Sequence, residues 1–230
     1  MQNYRLLEEV GTGSYSVVYR AEDLRNGSIV AVKVMKFFYS HARKLQDTEL
    51  VALKLFQNCP CVVRLLDHFI EEDVMVLVFE LGGATLLQVY QDLRNQQYRF
   101  TEKEIKLVSY QVAVALAEVH SKRFMHRDLK PENILLKRLE GNVLSVKLVD
   151  FGMCRRRLEV PSEELTGYVT TRWYRAPEVI LSLPYDMKLD VFSLGSVMLE
   201  LFLGYEAFPG ADAIDQLNRI FSVTGTPSKE

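Results

Sequence analysis

The sequence predicts an α+β fold in two lobes, a small β-rich one over residues 1–82 and a mainly helical one over residues 83–230. Three observations predict it. Runs rich in valine, isoleucine and phenylalanine, broken by tight-turn signals, occupy 4–34 and 62–79. Helical periodicity dominates afterwards, over 101–120, 186–203 and 213–221. Gly82-Gly83 offers a break between the two regimes.

The elements follow in chain order. Leu6 to Val10 reads as a strand leading into G-T-G-S-Y-S-V-V-Y (11–19), and Asn26-Gly27 is a hairpin signal before the β-rich run Ile29 to Val34. Gly11 and Gly13 leave room for backbone amides to approach phosphate oxygens. A dinucleotide-binding oxidoreductase would need a helix directly after such glycines. Val17-Val18-Tyr19 predicts a strand instead, and no G-K-[ST] follows. Leu45, Leu50 and Leu53 mark a helix over 41–57, and Pro60 ends the helix and its connection. Val62 to Phe69 and Val74 to Phe79 read as a hairpin turning at Glu71-Glu72-Asp73.

In the second lobe, Thr101 to Glu104 is a T-x-x-E capping box opening a helix through Val119. The stretch 126–152 then carries H-R-D-L-K-P-E-N, an apolar run with Ile134, Leu135 and Leu136, and V-D-F-G. Asp128, Asn133 and Asp150 sit beside strand-forming residues, as loop tips on a rigid scaffold do. An acid that orients a hydroxyl, with an amide and a second acid that can hold Mg²⁺, suits phosphoryl transfer. His126 reads as a packed core histidine. Glu140-Gly141-Asn142 marks a turn to which no function attaches. Asp186 to Leu203 reads as a buried helix stopped by Gly204, and Ala213 to Phe221 as one more.

Composition narrows the classes. The 230 residues are 48% hydrophobic and 25% charged, as in a globular protein with a sizeable core. A net charge of −2 gives no electrostatic case for nucleic acid or a membrane as partner. No apolar run approaches the ~20 residues of a membrane span, and the first residues lack a signal-peptide core. A reducing compartment is expected, cytoplasmic and/or nuclear, with the three cysteines as free thiols. Cys59 and Cys61 stand too close for a relaxed disulfide.

The combined motifs resemble the catalytic core of the eukaryotic protein kinases, serine/threonine type, over nearly all of residues 4–226. The resemblance implies an ATP- and Mg²⁺-dependent transfer to protein hydroxyls. It implies that Lys33, of Ala31-Val32-Lys33, grips phosphates and pairs with Glu49. Asp128 would act as base or hydroxyl-orienting group, Lys130 would neutralise transferred charge, and Asn133 and Asp150 would hold the metal. The nucleotide site would comprise Gly11, Gly13, Ser14, Tyr15, Val18, Ala31 and Lys33, with Phe79 behind the base, Glu80 and Leu81 in the hinge, and Leu135 below. Asp190 matches the aspartate that braces the catalytic loop. Ser16 stands where the family has a third glycine, and Phe192 where it has tryptophan.

Thr166-Gly167-Tyr168 resembles the T-x-Y lip of mitogen-activated kinases, while W-Y-R-A-P-E (173–178) belongs to the wider group that also holds cyclin-dependent kinases. The N-terminal G-T-G-S-Y-S-V-V-Y-R-A is closer to the latter, so the group is implied and the subfamily stays open. The group implies substrates with proline after the phosphorylated residue, an upstream activating kinase, a regulatory partner chain, and arginines after D-F-G that meet a phosphate. The family domain continues for several helices past the position of Glu230. A late arginine there pairs with the A-P-E glutamate, here Glu178. Residues 1–230 alone are therefore expected to be poorly soluble, with Glu178 buried and unpaired. The alternative reading is a non-catalytic, kinase-like binding module, which loss of Lys33, Asp128 or Asp150 would have favoured.

Overall fold

The computed structural model describes residues 1–13, 16–36, 39–140, 143–156 and 172–227, with only the backbone of 39–47. The first lobe is a five-stranded antiparallel sheet: β1 (Tyr4–Thr12), β2 (Ser16–Asp23), β3 (Ser28–Met35), β4 (Leu65–Glu71) and β5 (Val74–Glu80). Their order is β1-β2-β3-β5-β4, and helix α1 (Tyr39–Phe56) lies between β3 and β4 in the chain. Gly27 turns the β2–β3 hairpin at φ 73. Glu72 and Asp73 both adopt left-handed backbone at the β4–β5 turn, as a two-residue hairpin of matching twist demands.

Strand alternation gives this sheet two apolar faces. Val30, Val32, Val76 and Val78 close a small core with Tyr4 and Ala21. Leu65, Leu77 and Phe79 point the other way and join Leu53 and Phe56 of α1 in the main core. β4 begins at Leu65 rather than at Val62, because the preceding residues pair with the second lobe. Val62 bridges Leu148, Val63 N–H donates to the Leu148 carbonyl at 3.0 Å, and Leu148 N–H donates to the Cys61 carbonyl at 2.8 Å.

The second lobe contains β6 (Ala84–Thr85), α2 (Leu86–Asn95), α3 (Glu102–Ser121), β7 (Phe124–Met125), β8 (Ile134–Arg138), β9 (Leu144–Leu148), β10 (Arg155–Arg156), α4 (Pro177–Ile180), α5 (Lys188–Leu203) and α6 (Ala213–Thr224). The T-x-x-E box of α3 forms as its sequence requires: Thr101 and Glu104 satisfy each other's backbone N–H. Thr85 and Gln88 make the same box at α2, a helix whose bounds the sequence reading does not set. α5 starts two residues later than expected, since the Asp186 carboxylate accepts the Lys188 N–H at 2.8 Å. It is buried on one face only: Leu189, Val197 and Leu201 are inside, whereas Val191 and Phe202 are exposed. Among the described residues no helix is long and apolar enough to cross a membrane. Cys59, Cys61 and Cys154 are buried free thiols.

The link between lobes explains its glycines by space, not by dihedral. A Cβ on Gly83 would overlap the backbone carbonyl of Leu136, and one on Gly82 would overlap the Leu135 side chain. A side chain can move aside more easily than a strand. Gly83→Ala should therefore lower stability by about 1–3 kcal/mol, and Gly82→Ala by less. Denaturant midpoints of the two variants check this, and equal losses would contradict the ranking.

Candidate functional site

The loop between β7 and β8 is organised from below by Asp190, on the first turn of α5. Its carboxylate is fully buried. It accepts the backbone N–H groups of His126 at 2.9 Å and Arg127 at 2.8 Å, and His120 Nε2 lies 2.8 Å away. These bonds hold Arg127 at φ 70, a costly conformation for a residue with a side chain. His126 is buried, as expected of a core histidine. Its Nδ1 accepts the Asp128 N–H and its Nε2 faces the Val149 carbonyl at 3.0 Å. That pairing assigns the proton to Nε2 and leaves no nitrogen for general-base work.

The loop presents Asp128, whose side chain is nearly buried. Its Oδ2 accepts from Lys130 Nζ at 2.8 Å and from Asn133 Nδ2 at 3.0 Å. Asn133 Nδ2 also donates to the Asp128 carbonyl at 2.8 Å, so the carbonyl oxygen of the amide is the atom left for a cation. Val149 N–H donates to the Asn133 carbonyl at 3.0 Å, which ties this loop to the next one.

That next loop carries Asp150, at φ 60 and ψ 77. Its Oδ1 lies 2.9 Å from Lys33 Nζ, which also donates to Glu49 Oε1 at 2.7 Å. One ammonium thus joins β3, α1 and the second lobe. Burial works against the Lys33 charge, but Asp150 and Glu49 outweigh it and hold the amine above the usual lysine range. Lys33 in turn holds the Asp150 carboxyl down at about 2. Asp150 keeps 45% of its side chain exposed, facing the open cleft. Phe151 is fully buried, 5.3 Å from the Phe56 ring and 5.0 Å from His126, so the apolar core fixes where Asp150 and α1 stand.

Sheet register assembles the other wall of the cleft. Gly11 pairs with Val18, Val18 with Lys33, and Ala31 with Phe79. Cross-strand partners share a face, and so do residues two apart on one strand. Val18, Ala31, Lys33 and Phe79 therefore line one side. Gly11 is within β1, and a Cβ there would meet nothing within 4 Å. Leu135 lies against Gly82 from the other lobe. The Glu80 carboxylate is engaged by Arg64 N–H at 2.9 Å and Lys147 Nζ at 2.7 Å, leaving backbone as what Glu80-Leu81 offers a ligand. Ser14 and Tyr15 lie outside the described residues, as do Thr166 and Tyr168.

These residues fit a nucleotide and Mg²⁺. Apolar strips from Val18, Ala31 and Leu135 suit a base, and Lys33 suits phosphate. Asp150 and Asn133 offer the hard oxygen donors that Mg²⁺ shares with phosphates and water. Among the described residues there is no group of three or more His, Cys, Asp or Glu that could hold a metal ion.

The wall beyond Asp128 holds groups that the sequence reading misses. Tyr174 Oη donates to Glu200 at 2.7 Å, and Ser193 Oγ donates to the Tyr174 carbonyl at 2.7 Å. Gln216, fully buried, donates to the Trp173 carbonyl at 3.3 Å and accepts the Gly210 N–H at 3.0 Å. A serine, glutamate and glutamine inside helical periodicity carry no signal that separates them from surface residues. Glu178 is half-buried rather than buried, which corrects the expectation for it, and it has no ion pair among the described residues.

The chain belongs to the protein kinase family, whose domain model matches residues 4–230. It is 37% identical to cyclin-dependent kinase F-4 of Oryza sativa subsp. japonica, with 100% of this chain and 48% of that protein aligned. It is 38% identical to the serine/threonine-protein kinase MAK of Mus musculus, over 100% of this chain and 36% of that protein. It is 36% identical to the serine/threonine-protein kinase ICK of Rattus norvegicus, over 100% of this chain and 35% of that protein. The chain thus spans between about a third and a half of these relatives' length.

Burial pushes the Glu200 carboxyl up to about 7, the Tyr174 hydroxyl opposes this, and Glu206 and Glu132 add to it. A carboxyl raised on folding stabilises fully below its unfolded value of about 4.3. That contribution is lost as pH rises through about 7. Glu200→Gln keeps an acceptor for Tyr174 but removes the titration. The variant should lose this part of the stability decline between pH 5 and 8, and should exceed the parent by about 1–3 kcal/mol at pH 8. Urea midpoints across that range check it, and parallel curves would refute it.

Proposed function

We propose that the protein is a serine/threonine kinase that uses ATP and Mg²⁺ to phosphorylate protein hydroxyls. The observation that carries this is Asp128. Its carboxylate is locked by Lys130 and Asn133 on a braced loop, tied through Val149 to the neighbouring Lys33–Asp150–Glu49 cluster. When bound, the Mg²⁺-nucleotide supplies the phosphoryl group. Asp128 orients the acceptor hydroxyl and takes its proton at a carboxylate oxygen. Lys130, bonded to the same carboxylate, meets the charge of the group in transit. Lys33 holds phosphate oxygens, and Glu49 keeps Lys33 in place. Asn133 and Asp150 ligate the metal. Fixed charges aimed at developing charge do most of such catalysis.

The finer reading follows the group. W-Y-R-A-P-E with Arg175 supports substrates of the Ser/Thr-Pro type, and the name of the rice relative supports a regulatory partner chain. Phosphate on Thr166, carrying about −1.5 to −2 charge, would meet Arg127 and Arg155, and one on Tyr168 would meet Arg172 or Arg175. An upstream kinase would supply them. The composition supports a cytoplasmic and/or nuclear site of action.

Asp128→Asn keeps size and loses the base. Its kcat should fall about 10²–10⁴-fold with ATP affinity changed less than about threefold. Phosphate transfer and nucleotide titration on the full-length protein decide this. Undiminished turnover would reject the role, and a parent protein that binds ATP without transfer would favour the binding-module reading. Thr166→Ala and Tyr168→Phe should each blunt activation by an upstream kinase. Unchanged activation in the double variant would remove the lip from the account.

A further inference from the structure

The turn between β1 and β2 is fastened at Gly13, and one of its fastenings comes from a residue outside the nucleotide site described above. Thr12 and Val17 are the last paired residues of the two strands. Beyond them the Gly13 N–H donates to the Ser16 carbonyl at 2.8 Å. The Gly13 carbonyl accepts from Lys36 Nζ at 3.0 Å, across 23 positions of sequence. Both backbone polar groups of Gly13 are thus engaged by the protein itself.

Register explains how Lys36 arrives there. β2 lies between β1 and β3 in the sheet, and Ser16 at its start pairs with Met35 at the end of β3. Lys36 is the next residue, so its ammonium reaches over the end of β2 to the turn. Among the described residues no carboxylate pairs with Lys36, and its charge is directed at a carbonyl dipole. A charged donor makes the stronger kind of hydrogen bond.

Two further features fit a turn that is held. Ser16 stands where the family has its third glycine, and it is 8% exposed, between Met35 on one side and Gly13 on the other. A residue with a Cβ has fewer backbone conformations than glycine, so the turn is less free at that end. Lys33 is committed to Glu49 and Asp150, and strand alternation does not put a residue three positions further on the same face. The two lysines therefore divide the work, Lys33 towards phosphate and Lys36 towards the turn.

We propose that Lys36 is a positioning residue for the nucleotide: by holding the Gly13 carbonyl it fastens the glycine turn to β3 before any nucleotide arrives. This rests on the nucleotide reading of the cleft. A turn fixed beforehand loses less freedom when phosphates settle under it, which favours binding. The base, set against Val18, Ala31 and Leu135, gains nothing from the fastening.

The test compares Lys36→Met, which keeps the length of the side chain and removes its donor, with Lys36→Arg, which restores a donor. Calorimetric titration of the intact protein with Mg-ADP and with adenosine separates phosphate from base. Lys36→Met should weaken ADP about three- to tenfold and adenosine less than about twofold, and Lys36→Arg should recover most of the ADP affinity. The second readout is hydrogen exchange in the nucleotide-free protein. Segment 11–18 should exchange at least about threefold faster in Lys36→Met, with the other strands of the sheet unchanged. General destabilisation would speed the whole sheet, and a direct phosphate contact would weaken ADP without altering exchange in the free protein. The proposal fails if Lys36→Met binds ADP as the parent does, if adenosine weakens equally, if segment 11–18 exchanges no faster than the parent's or only together with the whole sheet, or if Lys36→Arg restores nothing. A parent that binds neither ligand overturns the nucleotide reading, and this proposal with it.

Discussion

The candidate site depends on a single ammonium group. Lys33 comes from the sheet, Glu49 from the helix packed on it, and Asp150 from the other lobe, and the three meet within 2.7–2.9 Å. Taking an ion pair out of water is expensive, and it is repaid only where geometry is good and further charge is present. Here a third charge is present. Lys33 with Glu49 alone would be a neutral buried pair. Adding Asp150 leaves the cluster one negative charge in excess, on a carboxylate open to the cleft. That excess is what a divalent cation would neutralise.

Two of the left-handed non-glycine residues stand at the same place. Arg127 and Asp150 both adopt left-handed backbone without being glycine. Each such residue costs on the order of 1–3 kcal/mol and persists only where its surroundings over-determine it. At Arg127 the surroundings are Asp190, a buried carboxylate receiving two backbone donors. At Asp150 they are Phe151, seated among Phe56 and His126, and the Gly152 N–H bonded back to Oδ1. A carboxylate below and a phenyl ring behind thus hold the two loops in conformations that local preference alone would not select.

Much of this was legible in the sequence because each signal rests on local physics. Asn26-Gly27 turns a hairpin, Thr101 and Glu104 cap a helix, and Val17-Val18-Tyr19 after the glycines continues as a strand, each within a few residues. Lys33, Glu49, Asp128, Asn133 and Asp150 were nameable through the resemblance to the protein kinases that their motifs carry, although 117 residues separate Lys33 from Asp150. What escaped depends on contacts between segments. Val62 and Val63 read as strand by composition, yet Leu148 takes their pairing. Glu200 carries no signal of its own in the helix read over 186–203, yet it is buried with the Tyr174 hydroxyl donating to it. α2 carried the same kind of capping box as α3, Thr85 with Gln88, and was legible in principle.

Some of the groups that escaped form a short polar chain in the second lobe: Ser193 and Tyr174 join α5 to the segment before A-P-E, and Tyr174 donates to Glu200. Each member sits in or beside apolar packing, where a partly satisfied network costs more than an apolar core would. One member shows that cost: burial raises the Glu200 carboxyl towards neutrality. A path of this kind becomes a route of coupling only if one end has two arrangements that a ligand distinguishes.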